Sequence, residues 1–149
     1  MAEIKLVRVD YRLIHGQVVA RWLKVCPVRR IVLVDDVLGS DEFMSDIYKM
    51  AVPKGTDVDI VTIDKAKEVL DNTDDTVFLI SKDIETCLKL VEKGVELPAI
   101  NVGAVPNEEG RLKRRKFSGF YVLDIECFSL KSLLSKLVEK LKKEPQWFC

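Results

Sequence analysis

The chain has 149 residues, of which 48% are hydrophobic, and its 24 Lys plus Arg are balanced by 24 Asp plus Glu to a formal net charge of zero. That length supports one domain with its own core, and the charge balance leaves no global field to draw the molecule onto nucleic acid or an anionic membrane. The start, MAEIKLVRVD, lacks a basic region followed by a long apolar stretch, and runs such as Ile31 to Val34 are too short to span a bilayer. A cytoplasmic chain that is not itself membrane-inserted, forming a single domain over residues 1–149, is therefore expected.

In chain order, β-branched runs alternate with segments of helical period. A strand is predicted over Ile4 to Val9, a helix over Gln17 to Val25, a strand over Arg30 to Asp35 and a helix over Asp41 to Ala51. Then come a strand over Val58 to Ile63, a helix over Lys65 to Leu70 and a strand over Thr76 to Ile80. A helix follows over Ile84 to Lys93, opened by Asp83 as N-cap and closed by Gly94 at C′. Strands over Ala99 to Val102 and Phe120 to Leu123 flank the basic run Arg111, Lys113, Arg114, Arg115 and Lys116, which reads as a solvated loop or a docking surface for an acidic partner. Last, Leu130, Leu133, Leu134, Leu137, Val138 and Leu141 form one face of an amphipathic helix expected to pack on the sheet. Alternating strands and helices, with strands apolar on both faces, imply an α/β fold: an open, mostly parallel, doubly wound sheet with helices on both faces.

Cys26, Cys87, Cys127 and Cys149 show no CxxC spacing, and the single histidine cannot complete a Cys/His set, so no metal site is expected. Cys26, Cys87 and Cys127 sit among apolar residues and read as buried reduced thiols.

In open sheets of this kind ligands bind beyond the carboxyl ends of the strands. The segment after the first strand is the richest in chemistry: Asp10, Tyr11, Arg12, Leu13, Ile14, His15 and Gly16, followed by a helical pattern. His15 stands where unpaired helix-opening N–H groups favour an anion, and Gly16 lets backbone come close to it. Arg12 offers a planar fork of donors for phosphoryl oxygens. Asp10 is placed either to hold Arg12 or to hydrogen-bond one imidazole nitrogen. A neutral imidazole is a competent nucleophile near pH 7, and the helix start and Arg12 both disfavour its cation.

The stretch RVDYRLIHGQVVARWLK, Arg8 to Lys24, closely resembles the active-site segment of the EIIB subunit of the mannose/fructose/sorbose class of bacterial sugar phosphotransferase systems (PTS), with Arg8, Asp10, Arg12, Leu13, Ile14, His15, Gly16, Gln17 and Trp22 filling the pattern. The resemblance continues through RIVLVDD at Arg30 to Asp36, AVPKGTDVDIVTIDKA at Ala51 to Ala66, the run ending EKGV at Val95, and INVGAVPNEEG at Ile100 to Gly110. It implies a protein-N(π)-phosphohistidine–sugar phosphotransferase without cofactor. His15 would take phosphate on Nδ1 from a phosphohistidine of EIIA and give it to sugar held by the membrane partners EIIC and EIID. It also implies a largely parallel sheet of seven strands with the fourth beside the first, which puts Ser81 near His15, where it would donate a hydrogen bond to the phosphate, with Gly16 and Gln17 also binding phosphate; read by itself, Ser81 is equally a helix-opening turn residue. Nothing in the residues fixes the oligomeric state, and a homodimer is left open. Two features depart from the pattern: Ala104 follows Gly103 where the family has paired glycines, and the final helix runs on toward Pro145, which makes a terminal strand doubtful.

Two rivals use the same architecture. A receiver-like module would draw on Asp10, Asp64 and Ser81, but the chain has Gly103, Ala104 and Val105 where such a module needs a lysine, and Asp10 with Tyr11 where it needs an acidic pair. A dinucleotide site would need GxGxxG in the first turn, where bulky Leu13 and Ile14 stand instead. A regulator that keeps the fold without onward transfer is a third reading.

Overall fold

The computed structural model describes residues 1–98, 100–103, 113–117 and 120–124. The predicted helix from Leu130 to Leu141, the chain end, Cys127, Cys149 and the segment from Ala104 to Leu112 lie outside the described residues.

Strands β1 (Glu3–Val9), β2 (Arg30–Val34), β3 (Asp57–Val61), β4 (Thr76–Ser81) and β5 (Ile100–Val102) form one parallel sheet in the order β3-β2-β4-β1-β5. Helices α1 (Gly16–Val25), α2 (Glu42–Met50), α3 (Ile63–Asp71) and α4 (Ile84–Glu92) make the crossovers, with a 3-10 turn at Leu38–Ser40 before α2. Strand alternation divides the core in two. Ile31, Leu33, Phe78 and Ile80 point to the side of α1 and α2, where they pack with Leu13, Ile14, Val19 and Leu38. Val32, Val34, Val77 and Leu79, with Val7 and Val9 of β1, point to the side of α3 and α4 and meet Ala66, Leu70, Ile84, Cys87 and Leu90. The sheet is thus covered on both faces, as the alternation of elements predicts.

The strand count differs from the expectation of one sheet of six or seven. The run Phe120 to Leu123 belongs to β7 (Phe120–Asp124), which pairs antiparallel with β6 (Lys113–Phe117) in a separate two-stranded sheet. The basic cluster read as a solvated loop is therefore largely a strand. Only Ser118 and Gly119 separate the two strands, too few residues for a parallel crossover, so a hairpin is the sole pairing open to them. The third strand ends at Val61 and not at Ile63, because α3 begins there: Thr62 is its N-cap and the Asp36 carboxylate accepts from the Ile63 N–H at 2.8 Å.

The caps of α4 fall where the sequence puts them. Asp83 accepts from the Thr86 N–H and hydroxyl, each at 2.8 Å. At the other end Gly94 takes φ +79°, its N–H bonded to Val91 O and that of Val95 to Leu90 O, each at 3.0 Å, which closes a Schellman motif. Asp83→Ala is expected to lower stability by about 1 kcal/mol in urea denaturation, from loss of the cap alone.

Candidate active site

The site gathers at the carboxyl ends of β1, β4 and β5. Strand alternation sends Val7 and Val9 into the core beneath α3 and α4, so Arg8 and Asp10 face α1. In β5 the register pairs Arg8 with Asn101, and in β4 it pairs Val9 with Ser81. The chain leaves β1 through a turn in which the Asp10 carbonyl accepts from the Leu13 N–H at 2.9 Å. Leu13 takes φ +58°, a left-handed conformation that costs a branched residue about 1–2 kcal/mol, and its buried side chain on the α1 side holds it there. That reversal brings His15 to the N-cap of α1, with extended backbone and its carbonyl accepting the first intrahelical bond from Val19.

Asp10 is the hub. Its carboxylate is fully buried and takes five donors: at Oδ1 the Arg12 N–H (3.2 Å) and Nε (3.0 Å), and at Oδ2 Arg12 Nη2 (3.1 Å), Arg8 Nη2 (2.8 Å) and Arg8 Nε (3.3 Å). Of the two placements the sequence left open for Asp10, the structure has it holding Arg12. Burial pushes its carboxyl up, and the hydrogen bonds from Arg12 and Arg8 outweigh that and hold it below the usual value near 3.8. Arg12 reaches the surface, with its side chain 45% exposed, whereas that of Arg8 is 11% exposed.

His15 is half-buried, and its side chain makes no capping bond. Its Nε2 is enclosed and lacks a hydrogen-bond partner, the one such buried side-chain nitrogen or oxygen among the described residues. Desolvation first, then the charge of Arg12, then that of Arg8 hold its pKa below 6.5, with Asp10 pulling the other way. Desolvation and the two arginines favour the neutral ring, and desolvation is a cause that the sequence did not reveal. No acidic residue stands in the first turn of α1, whereas α2, α3 and α4 carry Glu42, Asp64 and Glu85 there. Among the described α-helices, the positive end of α1 is thus the one that lacks an anion from its own first turn.

The remaining expected residues divide. Gly16 is exposed, and a Cβ added to it would meet no atom within 4 Å, so the helix start is open to solvent. Gln17 lies in the first turn of α1; its side chain is outside the described residues. Ser81 joins the site through its backbone, its carbonyl accepting from the Asp10 N–H at 2.9 Å. Its hydroxyl is fully buried, donates to Asp83 O at 3.3 Å and lies 3.1 Å from Cys87 Sγ. Cys87 behaves as the inert thiol expected of it, burial pushing its pKa up to about 12. Cys26 is only half-buried, because it sits at the C-cap of α1. Asp64 does not join Asp10. It pairs with Lys93 at 2.7 Å on the surface, which removes a part that a receiver-like site would need.

Four residues outside the expected catalytic and phosphate-binding set, Arg8, Asn101, Trp22 and Gly103, complete the cluster. Arg8 Nη1 donates to Asn101 Oδ1 at 2.6 Å, the Arg8 guanidinium lies over the Trp22 ring at 5.3 Å, and Gly103 closes over both charges. A Cβ on Gly103 would sit 2.3 Å from Arg8 Nη2 and 2.8 Å from Asp10 Oδ2, so the position has room for glycine alone. The period of two puts Arg8 on the same side of β1 as Asp10, and Asn101 is visible only through the strand register.

Comparison with known proteins gives a consistent result. The family model described as PTS system sorbose subfamily IIB component matches residues 4–137. The PTS system sorbose-specific EIIB component of Klebsiella pneumoniae is 33% identical over 129 residues, 85% of this chain and 79% of that protein. The PTS system mannose-specific EIIAB component of Escherichia coli K12 is 32% identical over 128 residues, 84% of this chain; the chain spans 40% of that longer relative. Among solved structures, manxB of Thermoanaerobacter tengcongensis matches with a TM-score of 0.72 and 35% identity, over 96% of this chain and 82% of that one.

Proposed function

Because the chain belongs to the sorbose-subfamily IIB components of the sugar phosphotransferase system, the EIIB proteins of the mannose/fructose/sorbose class, and is thereby a phosphotransfer component of that system, we propose that His15 is the residue that carries the phosphoryl group. In this reading a phosphohistidine of EIIA donates to His15, and His15 passes the group to a sugar hydroxyl presented by the membrane partners EIIC and EIID, with the chain working as a single cytoplasmic domain.

The observation that carries the proposal is an imidazole at the mouth of a helix with Nε2 shut away and without a hydrogen-bond partner, in surroundings that disfavour its cation. Nδ1 is then the nitrogen free to attack. Its lone pair forms the new N–P bond as the donor's N–P bond breaks, and the donor imidazole leaves with the electron pair, so no proton has to move. In the second step the sugar oxygen forms the O–P bond and releases its proton to water, while the His15 N–P bond breaks and its electron pair returns to Nδ1 as the neutral imidazole leaves. Charge spreads over three equatorial oxygens at each transition state. Arg12 and the opening N–H groups of α1 would stabilise it, with Asp10 fixing Arg12 and Gly16 leaving the approach open. Ser81 would contribute by holding the Asp10 backbone, and Gln17, in the first turn of α1, would help to bind phosphate. The mannose-specific relative that unites EIIA and EIIB in one chain favours EIIA as the donor.

The test supplies phosphorylated EIIA and follows label on this chain and then on sugar with the permease present, comparing wild type with His15→Ala. Acid-labile, hydroxylamine-stable label on the wild type and none on His15→Ala is expected. Hydroxylamine-labile label, or full labelling of His15→Ala, overturns the proposal, and label without onward transfer overturns its second half.

A further inference from the structure

A buried guanidinium near the end of a strand is costly unless it is paired and hydrogen-bonded. Arg8 is 9% exposed, and its donors are taken by Asp10 and Asn101 while its face is covered by Trp22. Beneath Gly103 it is tied to Asp10 and Asn101, and its side chain is 11% exposed where that of Arg12 is 45%. Its effect is on the charge of the cluster. Asp10 and Arg12 alone would form a neutral pair, and an incoming phosphoryl group would compete with the carboxylate for a guanidinium already compensated. With Arg8 on the same carboxylate, two cations face one anion and one positive charge is left uncancelled. It emerges at Arg12, the exposed member of the three.

We propose that Arg8 is a positioning residue that shares the Asp10 carboxylate so that Arg12 keeps its positive charge available to the phosphoryl group on His15. The inference rests on His15 as the phosphoryl carrier. It makes the buried cluster an electrostatic device, in which Asn101 supports Arg8 with a neutral oxygen and so adds no anion of its own.

That last point gives the sharpest test. Asn101→Asp keeps an oxygen for Arg8 Nη1 in the same shape and adds one negative charge, which brings the cluster to neutrality without removing a contact. Phosphorylation of His15 by phosphorylated EIIA is expected to slow about tenfold, and the NMR titration midpoint of the His15 ring to rise by roughly 0.3 to 1 pH unit. Arg8→Gln is expected to slow transfer similarly. Arg8→Lys keeps the charge and loses the fork, and is expected to retain roughly a third or more of the wild-type rate. A folded Asn101→Asp protein with the wild-type rate overturns the proposal, as does a folded Arg8→Lys protein as slow as Arg8→Gln. If Arg8→Gln does not fold, Asn101→Asp decides alone. Failure of the underlying reading looks different: wild type itself goes unlabelled at His15, while the titration still reports whether the cluster acts on the ring.

Discussion

Asp10→Ala is expected to lower the stability of the fold by about 3–5 kcal/mol, the cost of stranding a buried charge by removing its partner. The carboxylate is fully buried and is the one anion shared by Arg8 and Arg12. Its loss leaves Arg8 buried with Asn101 and the Trp22 ring for company, while half-exposed Arg12 can turn to water. Asp10→Asn keeps an acceptor and is expected to cost less. The pH dependence follows from the direction of the Asp10 shift: its pKa is lower folded than unfolded, so the unfolded chain takes up the proton first as pH falls. The stabilisation is whole above the ordinary value of 3.8 and is lost as pH drops below it toward the folded pKa. Urea denaturation between about pH 6 and pH 3 is expected to show the gap between wild type and Asp10→Asn closing only at the acid end. A gap that is constant across the range would contradict the ionised, doubly paired carboxylate.

Arg12→Gln is expected to do the reverse, slowing phosphorylation of His15 by about 100- to 1000-fold with little change in melting temperature. The side chain is 45% exposed, and Asp10 keeps its Arg8 partner when Arg12 is shortened, so no buried charge is orphaned. What is lost is the guanidinium that would meet phosphoryl oxygens as charge builds on them. Single-turnover transfer from phosphorylated EIIA, paired with a thermal melt, separates the two outcomes. Wild-type transfer in a folded Arg12→Gln protein would remove Arg12 from the mechanism. The contrast with Asp10 is useful because the two side chains touch: one holds the loop together, the other faces outward from it.

How much of this was legible beforehand differs between elements for physical reasons. The five parallel strands are β-branched runs bounded by turn residues, and burial on both faces writes that pattern directly into Ile31 to Val34 and Val77 to Ile80. Strand β6 is different: Lys113 to Phe117 is almost all cationic, and only its two-residue separation from β7 marks it as half of a hairpin. At the site, Asp10, Arg12 and His15 are close in sequence because one turn presents them, so their grouping could be read before any coordinates. The parts that brace them come from elsewhere. Asn101 meets Arg8 across a strand register, and Gly103 is a close approach that spacing cannot reveal. The Ser81 hydroxyl turns inward to Asp83 and Cys87, a choice made by packing under α4.

Heteronuclear NMR of the chain after incubation with phosphorylated EIIA asks the most direct question, which ring nitrogen bears phosphorus. With the other nitrogen enclosed and unpartnered, a one-bond nitrogen–phosphorus coupling at His15 Nδ1 is predicted. Phosphorus on Nε2, or on any side chain other than His15, would contradict the account.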